Sequence, residues 1–192
     1  MIENIRRAIA GYTSTGKSTF VDSGIVPPVT ADLYPGATYW LVWGTEDGEM
    51  TVGANDEPVQ KPFFPGPGGS RLIAVRFAPN KAAGQGAGAG GETSPEALEA
   101  MRADAEEKFP GLFEKHAADP ADAAFHTTDT IDYGFVVEGQ ISLVLDDGDE
   151  QVLPAGSFVM QRGTRHAWIN RSDEPALVVY VLLGAKRVGP QI

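Results

Sequence analysis

The stretch GYTSTGKST, at residues 11–19, contains the residue pattern of a phosphate-binding P-loop. The pattern is a glycine, four residues and then Gly-Lys-Ser, here Gly11, Gly16, Lys17 and Ser18. In a P-loop of an NTPase, these residues join a buried strand to a helix, and the N–H groups at the start of that helix hold phosphate. The chemistry implied by the pattern is therefore nucleotide binding.

The segments on either side of this pattern do not suit a P-loop. The segment ENIRRAIA carries three charged residues in eight, which is unfavourable for a buried parallel strand. After the pattern, Pro27 and Pro28 interrupt the region where a helix would have to run. The sequence therefore predicts an exposed turn between two short strands, with Lys17 in solvent and no bound nucleotide.

Histidine and carboxylate side chains are the other residues that could do chemistry. The chain has three histidines, His116, His126 and His166, and no cysteine, so disulfides and thiolate metal sites are excluded. Imidazole and carboxylate groups can still bind a metal or transfer protons. His126 and His166 both lie in the half of the chain that is richest in strand-forming residues.

The elements that must position these two histidines follow residue 125. Short runs rich in Val, Ile, Leu and aromatic residues alternate with turn signals. The turn signals are Gly139, Asp147-Gly148, Pro154-Ala155-Gly156, Arg162-Gly163 and Asp173-Glu174-Pro175. Their regular spacing predicts an antiparallel sandwich or barrel.

The first 80 residues also predict strands, and a helix follows them. TYWLVWGTEDGEMTVG is expected to form a hairpin that turns at Asp47-Gly48, and SRLIAVRFAPN to form a half-buried strand. Residues 81–93 are rich in Gly and Ala and predict a flexible loop. A helix is expected from an N-cap at Ser94 to a stop at Pro110-Gly111, either as a lid or as a surface excursion.

Composition limits the class of protein. The 192 residues suit one domain, and no apolar run is long enough for a membrane span or a secretory signal. The net charge of −11 disfavours nucleic acid as a partner because phosphates would be repelled. We therefore expect a cytoplasmic protein that acts on a small molecule.

Two segments resemble the two sequence motifs of the cupin superfamily, in particular small single-domain cupin-2 conserved barrel proteins. HTTDTIDYGFVVEG is similar to the first motif, with His126 at the first histidine position, Thr128 at the second, Asp132 at the acidic position and Gly139 at the end. QRGTRHAWIN is similar to the second motif, with Gly163, His166 and Asn170 in register and Gln161 where proline is usual.

The resemblance implies an all-β fold, a cupin double-stranded β-helix (jelly-roll) barrel with an N-terminal β arm and one inserted helix. On this interpretation residues 1–80 hold the arm and the entering strands of the barrel. Residues 81–124 hold the Gly/Ala-rich loop and the inserted helix, and residues 125–192 hold the barrel core with both motifs. The resemblance also implies a homodimer.

The family commonly holds one divalent metal, and the resemblance implies His126, Asp132 and His166 as its ligands and as the catalytic residues. Fe, Zn, Mn or Ni are the candidate metals. Strand alternation places His126, Thr128, Thr130 and Asp132 on one face, towards the barrel interior. The predicted substrate-binding residues are Thr128, Thr130, Gln161 and Trp168.

Three interpretations of this site remain open. A metal is held by the two histidines and Asp132; or no metal is held and these groups transfer protons; or the barrel only binds a ligand. The predicted function is a cupin-type small-molecule enzyme, a metal-dependent lyase that dehydrates or decarboxylates an oxygenated organic metabolite. The alternatives are an Fe(II) dioxygenase of the cupin type and a non-catalytic ligand-binding cupin.

Overall fold

A computed structural model describes residues 2–53, 57–80, 94–112, 115 and 124–189 of the chain. Within this part the regular elements are mostly β-strands, with one α-helix. The strands are β1 (Arg6–Tyr12), β2 (Ser18–Ile25), β3 (Ala37–Thr45), β4 (Ser70–Phe77), β5 (Thr130–Glu138), β6 (Gln140–Val144), β7 (Glu150–Pro154), β8 (Phe158–Gln161), β9 (Ala167–Ile169) and β10 (Ala176–Gly184). The helix is α1 (Pro95–Lys108).

Two antiparallel sheets form the barrel. One sheet has five strands in the order β3-β4-β10-β5-β8, and the other has three in the order β7-β6-β9. Their inner faces share one hydrophobic core, to which the first sheet contributes Val136 and Val178 and the second contributes Ile141. This arrangement is the predicted all-β jelly-roll barrel, and its interior is where the inward-facing residues of β5 and β10 meet.

The P-loop pattern lies in a separate two-stranded hairpin, β1–β2, called the arm below. Thr13 and Lys17 close its turn: the Thr13 N–H donates to the Lys17 carbonyl at 2.8 Å. Lys17 is exposed, and the strand that follows is antiparallel to the one before. The predicted turn between two strands is therefore present, and the strand-to-helix junction of a P-loop is not formed here.

The predicted hairpin at Asp47-Gly48 is wrong. β3 ends at Thr45 and pairs with β4 instead of with the residues that follow the turn. Asp47 Oδ1 accepts the N–H of Gly66 at 2.9 Å, and the Gly48 N–H donates to the Pro67 carbonyl at 2.9 Å. These long-range bonds hold Asp47 and Gly48 against the loop at residues 66–67.

Helix α1 begins as the sequence predicts and then enters the core. The Ser94 hydroxyl accepts the Ala97 N–H at 3.2 Å, and Pro95 is the first helical residue. Phe109, which follows the helix, is fully buried in the main core, as is Ala105. The end of the inserted helix is therefore part of the barrel core and not a surface excursion.

Some predicted features fall outside the described residues. The Gly/Ala-rich loop at 81–93 and His116 are among them. In the part of the chain that is described, no helix has the length and apolar character needed to cross a membrane.

Candidate functional site

The fold brings His126 and His166 together. They form an antiparallel β-bridge in which the His126 N–H donates to the His166 carbonyl at 2.9 Å and the reverse bond is 3.0 Å. The ring centroids are 4.2 Å apart and the ring planes are 53° apart. His166 is buried and His126 is half-buried, so the pair reaches from the interior towards the surface.

The hydrogen bonding of His166 defines its chemistry. Its Nδ1 lies 2.9 Å from the Thr164 carbonyl oxygen, which can only accept, so Nδ1 carries the proton. Neutral His166 therefore keeps an acceptor lone pair on Nε2. The ring of Trp168 meets the imidazole edge-on, with centroids 6.2 Å apart, and fixes its orientation.

Three polar side chains at alternate positions, the first just before β5 and the next two on it, line the inner face of the barrel. Thr128, Thr130 and Asp132 are all buried, as the alternation predicted. The hydroxyls of Thr128 and Thr130 are 2.8 Å apart, and Thr130 hydrogen-bonds the Asp132 carboxyl. Asp132 Oδ1 is buried and has no hydrogen-bond partner among the described residues. The row therefore ends in a carboxyl oxygen that is available to another group.

The surroundings of Asp132 change its acidity. Burial raises the pKa of its carboxyl from 3.8 to about 6, and the hydrogen bond from Thr130 offsets part of that rise. Desolvation disfavours the charged form because the carboxylate loses its hydration. A carboxyl with this pKa can both take up and release a proton near neutral pH, which is the requirement for a general base or acid.

Tyr180 on β10 lies on the same inner face of the barrel, although it was not among the predicted site residues. The buried region that holds Asp132, Tyr180 and the predicted site residues around them is called the chamber below. It is buried, and its hydroxyl has no hydrogen-bond partner among the described residues. Burial, with smaller contributions from Tyr39 and Asp132, raises the pKa of its phenol well above the ordinary value. The alternation of ALVVYVLL places Tyr180 on the same face as Val178 and Leu182, and this signal could have identified it.

Gln161 and Trp168, which are predicted to bind substrate, make hydrogen bonds or ring contacts with other residues of the chain. Gln161 lies opposite Asp132 in the β5–β8 pairing and is buried. Its side-chain oxygen accepts from the Arg162 N–H at 3.0 Å and from the Thr164 hydroxyl. Trp168 packs against Tyr180 with ring centroids 5.3 Å apart. Both residues therefore shape the wall of the chamber.

Arg187 ties the two motif segments together from the outside. Its guanidinium donates to the Thr128 carbonyl at 2.7 Å and to the Gly163 carbonyl at 3.1 Å, and it pairs with Asp129 at 2.5 Å. Gly163 has a φ of 68°, and a Cβ there would lie 2.9 Å from the Thr128 carbonyl oxygen. A side chain at residue 163 would therefore displace the backbone at Thr128.

Gly163→Ala is expected to destabilise the protein more than Gly156→Ala. Both glycines have positive φ, which costs a non-glycine residue about 1–2 kcal/mol, but nothing lies within 4 Å of a Cβ at Gly156. Chemical denaturation of the two variants measures the difference, and we expect the Gly163 variant to lose at least about 1 kcal/mol more. Equal losses would show that close approach to Thr128 is unimportant.

The described side chains do not form a metal centre of three ligands. No group of three His, Cys, Asp or Glu side chains in the described ranges is arranged to hold a metal ion. His126, Asp132 and His166 are all described, and of these the two imidazoles come together. The predicted ligand set is thus not gathered in this arrangement, and the divalent metal stays a prediction.

The chamber around Asp132 is shut off from solvent. Asp132 and Tyr180 are each 6 % exposed, and Phe109 fills the adjoining core. An open cleft of about 340 Å³ lies elsewhere, between residues 30–38 and Arg76, Ala78 and Pro175. Access to the chamber therefore requires a movement of the side chains that close it.

The comparison with protein families identifies the segment that carries these residues. Residues 113–182 match the family model described as a cupin domain. This segment is similar to a cupin domain. The match covers every residue of the chamber described above, from His126 to Tyr180, and leaves out the arm, β3, β4 and helix α1.

Curated relatives of this cupin domain come from fungi. Phomopsin biosynthesis cluster protein C' of Diaporthe leptostromiformis is 44 % identical over 68 residues, covering 35 % of this chain and 36 % of that protein. Cupin-domain-containing oxidoreductase srdD of Neurospora crassa is 39 % identical over 70 residues, with the same two shares. The chain therefore spans about a third of the length of the curated relatives it matches.

The solved structures that match the chain have low sequence identity and TM-scores below 0.5. The cupin domain of an XRE family transcriptional regulator from Enterobacter cloacae is 14 % identical, covers 61 % of this chain and 83 % of that chain, and has a TM-score of 0.34. Fe(II)-HppE with the alternative substrate (S)-1-HPP is 14 % identical, covers 82 % of this chain and 56 % of that chain, and has a TM-score of 0.43.

Proposed function

We propose that this cupin domain is the site of a lyase-type enzyme that dehydrates or decarboxylates a small oxygenated organic metabolite. The observation that carries the proposal is the Asp132 carboxyl, which is buried, aimed into the barrel and unpartnered at Oδ1 among the described residues. A buried polar atom without a partner costs free energy in a folded protein, and such atoms concentrate at functional sites.

The chemistry of the chamber suits proton transfer. Asp132 removes a proton from a carbon next to a carbonyl group, and the Thr128–Thr130 hydroxyl pair holds the carboxyl in place. The enclosed chamber keeps water away from the reacting atoms, which strengthens each polar contact. Such a reaction moves a proton and a leaving group without a change of oxidation state.

The relatives support a small-molecule substrate. The phomopsin protein and Oryzines biosynthesis cluster protein J of Aspergillus oryzae are named for biosynthesis clusters, and the latter is 38 % identical over 65 residues. The names describe those proteins and do not specify a lyase. For this chain they favour an enzyme of metabolism over a partner-binding domain.

The test is hydrogen exchange into candidate substrates. Purified protein is incubated in D₂O with hydroxy ketones, hydroxy esters and keto acids, and proton NMR follows the loss of hydrogen next to the carbonyl. We expect exchange by the wild type and a loss of about 100-fold or more in Asp132→Asn. Asp147→Asn, an exposed turn residue between β6 and β7, is the matched control and should exchange normally.

A cupin that only binds its ligand would behave differently. No compound would exchange, and Asp132→Asn would bind ligand as well as the wild type does. That result would contradict the proposed enzyme and favour the non-catalytic alternative.

A metal-dependent oxidoreductase is the second candidate. Two observations favour it: relatives such as srdD are named oxidoreductases, and His126 and His166 stand side by side. A metal on these imidazoles would need further ligands, and Fe, Zn, Mn and Ni are the metals to measure. Elemental analysis of the purified protein, with His126→Ala as control, tests this candidate. One equivalent lost in the variant, with O₂ consumed by the wild type, would favour it over the lyase.

We propose that the working unit is a homodimer in which each arm packs against a second copy. Among the described residues the two strands of the arm pair with each other and with no strand of the barrel. Arg7 Nη1 of the arm donates to the Val42 carbonyl of the barrel at 3.0 Å, and Phe20 is 75 % exposed. The outer face of β8, an edge strand, exposes Phe158 and Met160. Apolar surface of this kind marks an interface, and an isolated hairpin is only marginally stable.

Phe158→Asp is expected to convert the dimer to a monomer, because it places a charge on the proposed interface. Light scattering after gel filtration measures the mass. The control is Val152→Asp on β7, a similarly exposed position on the other sheet. A wild type that is already monomeric, or an equal effect of both variants, would contradict the proposed interface. The cytoplasmic location of the protein also stays a prediction.

A further inference from the structure

Two side chains of the chamber each have a buried polar atom whose hydrogen-bonding capacity is not satisfied by the described residues. Asp132 Oδ1 and Tyr180 Oη each have no hydrogen-bond partner among the described residues. Leaving either group unpaired costs free energy, so a native chain retains such groups where a ligand completes them. Their location in one chamber indicates that a single bound molecule meets both.

The strand register brings the two side chains to neighbouring positions. Asp132 lies opposite Leu182, and Tyr180 lies opposite Gly134, two residues further along each strand. The two are therefore diagonal neighbours on the inner face, within reach of a long side chain. The ring of Tyr180 lies over Gly134: a Cβ at that residue would be in ordinary contact with the ring, 3.4 Å from Tyr180 Cε1.

The two groups require different hydrogen-bonding partners on a ligand. The Tyr180 hydroxyl keeps its proton and donates, whereas the Asp132 carboxylate accepts a hydrogen. A molecule that satisfies both presents an acceptor oxygen beside a hydrogen that can be removed. A carbonyl group with a neighbouring C–H bond has this arrangement.

The charge of the chamber restricts the ligand further. Among the described buried side chains, Arg71 is the one permanent cation. Its guanidinium already donates to backbone carbonyls: Nε donates to the Pro62 carbonyl at 3.0 Å, and Nη1 donates to the Thr45 carbonyl at 2.8 Å. A carboxylate ligand would therefore meet Asp132 without a free counter-charge, so a neutral ligand is favoured.

We propose that Tyr180 is a catalytic residue that donates a hydrogen bond to the carbonyl oxygen of a neutral β-hydroxy ketone or ester while Asp132 takes the α-proton. This inference rests on the proposed lyase function, narrows it to dehydration and names its substrate class. The α C–H bond breaks, and its electron pair forms the enolate that Tyr180 stabilises. The β C–O bond then breaks, and the hydroxide takes the proton from Asp132, leaving the α,β-unsaturated ketone or ester and water with no redox change.

The first experiment measures binding with 4-hydroxy-2-butanone and, as a charged compound of similar size, 3-hydroxybutyrate. We expect calorimetry to show that the ketone binds and the carboxylate does not, and that Tyr180→Phe weakens ketone binding about tenfold. Tyr133→Phe, whose hydroxyl is on the outer face of β5, is the matched control. Tyr180→Phe should keep the melting temperature, because it removes an unpaired hydroxyl.

The second experiment follows formation of methyl vinyl ketone from 4-hydroxy-2-butanone by NMR. We expect Tyr180→Phe to slow elimination at least tenfold and Tyr133→Phe to leave it unchanged. Elimination that depends on Asp132 but not on Tyr180 would overturn the role of Tyr180 and leave the lyase standing. Absence of any reaction that depends on Asp132 would overturn the lyase itself. Equal binding of 3-hydroxybutyrate, or no binding of the ketone, would overturn the substrate class.

Discussion

Asp132→Asn is expected to make the protein more stable at neutral pH while it removes turnover. The carboxyl is 6 % exposed, and burial raises its pKa to about 6. At neutral pH the folded protein therefore holds a carboxylate in surroundings that disfavour its charge. An amide of the same shape has no charge to desolvate, so the variant avoids this cost.

The direction with pH follows from proton binding. The pKa of Asp132 is about 6 in the folded chain and 3.8 ordinarily, so the folded state binds more protons between these values. The contribution of this residue to stability is therefore greatest below pH 4 and falls as pH rises towards 6. At neutral pH the cost is on the order of 3 kcal/mol, and we expect Asn to recover about 1–3 kcal/mol of it.

Urea denaturation of the wild type and Asp132→Asn across pH 4 to 8 measures this effect. The difference between them should grow as pH rises and level off above pH 7. Asp147→Asn, which changes an exposed carboxylate, should follow the wild type. A variant that is less stable than the wild type at pH 7.5 would show that the carboxylate is stabilised by a contact in the folded protein.

Phe109→Ala is expected to cost about 3–5 kcal/mol of unfolding free energy. The ring is fully buried, and its centroid lies 4.7 Å from that of Tyr39 and 5.8 Å from that of Phe63. Its backbone N–H donates to the Ala105 carbonyl at 2.8 Å, so the ring is fixed to the end of helix α1. Removing it leaves a cavity where the helix joins the barrel core.

Leu98→Ala is the matched control because Leu98 lies on the same helix and is only partly buried. Chemical denaturation should show a loss for this control that is less than half of that for Phe109→Ala. Phe109→Leu should recover most of the stability by filling the cavity. A loss below about 1 kcal/mol in Phe109→Ala would mean that the helix end does not support the core.

Much of the local structure could be predicted from short sequence patterns. Alternation placed Thr128, Thr130 and Asp132 inside, because successive side chains of a strand point to opposite faces. The ends of helix α1 followed from Ser94, Pro95 and the Pro110-Gly111 stop, because caps depend on neighbouring residues alone.

The errors have a common physical cause. The turn expected at Asp47-Gly48 does not form, because these residues hydrogen-bond to residues 66 and 67, which are distant in the chain. The helix was expected as a lid or surface excursion because its sequence does not reveal which surface Phe109 meets. In both cases the contact that decides the structure joins segments whose approach no local pattern encodes.

The sequence by itself determined that Thr128, Thr130 and Asp132 face the barrel interior and which chemical groups are available for proton transfer. The tertiary structure decided which of these groups meet. It set His126 beside His166 through one backbone bridge, and placed Tyr180 diagonal to Asp132 through the register of β10 on β5. Register depends on the pairing of strands that are distant in the chain, so it is set only when the whole barrel closes.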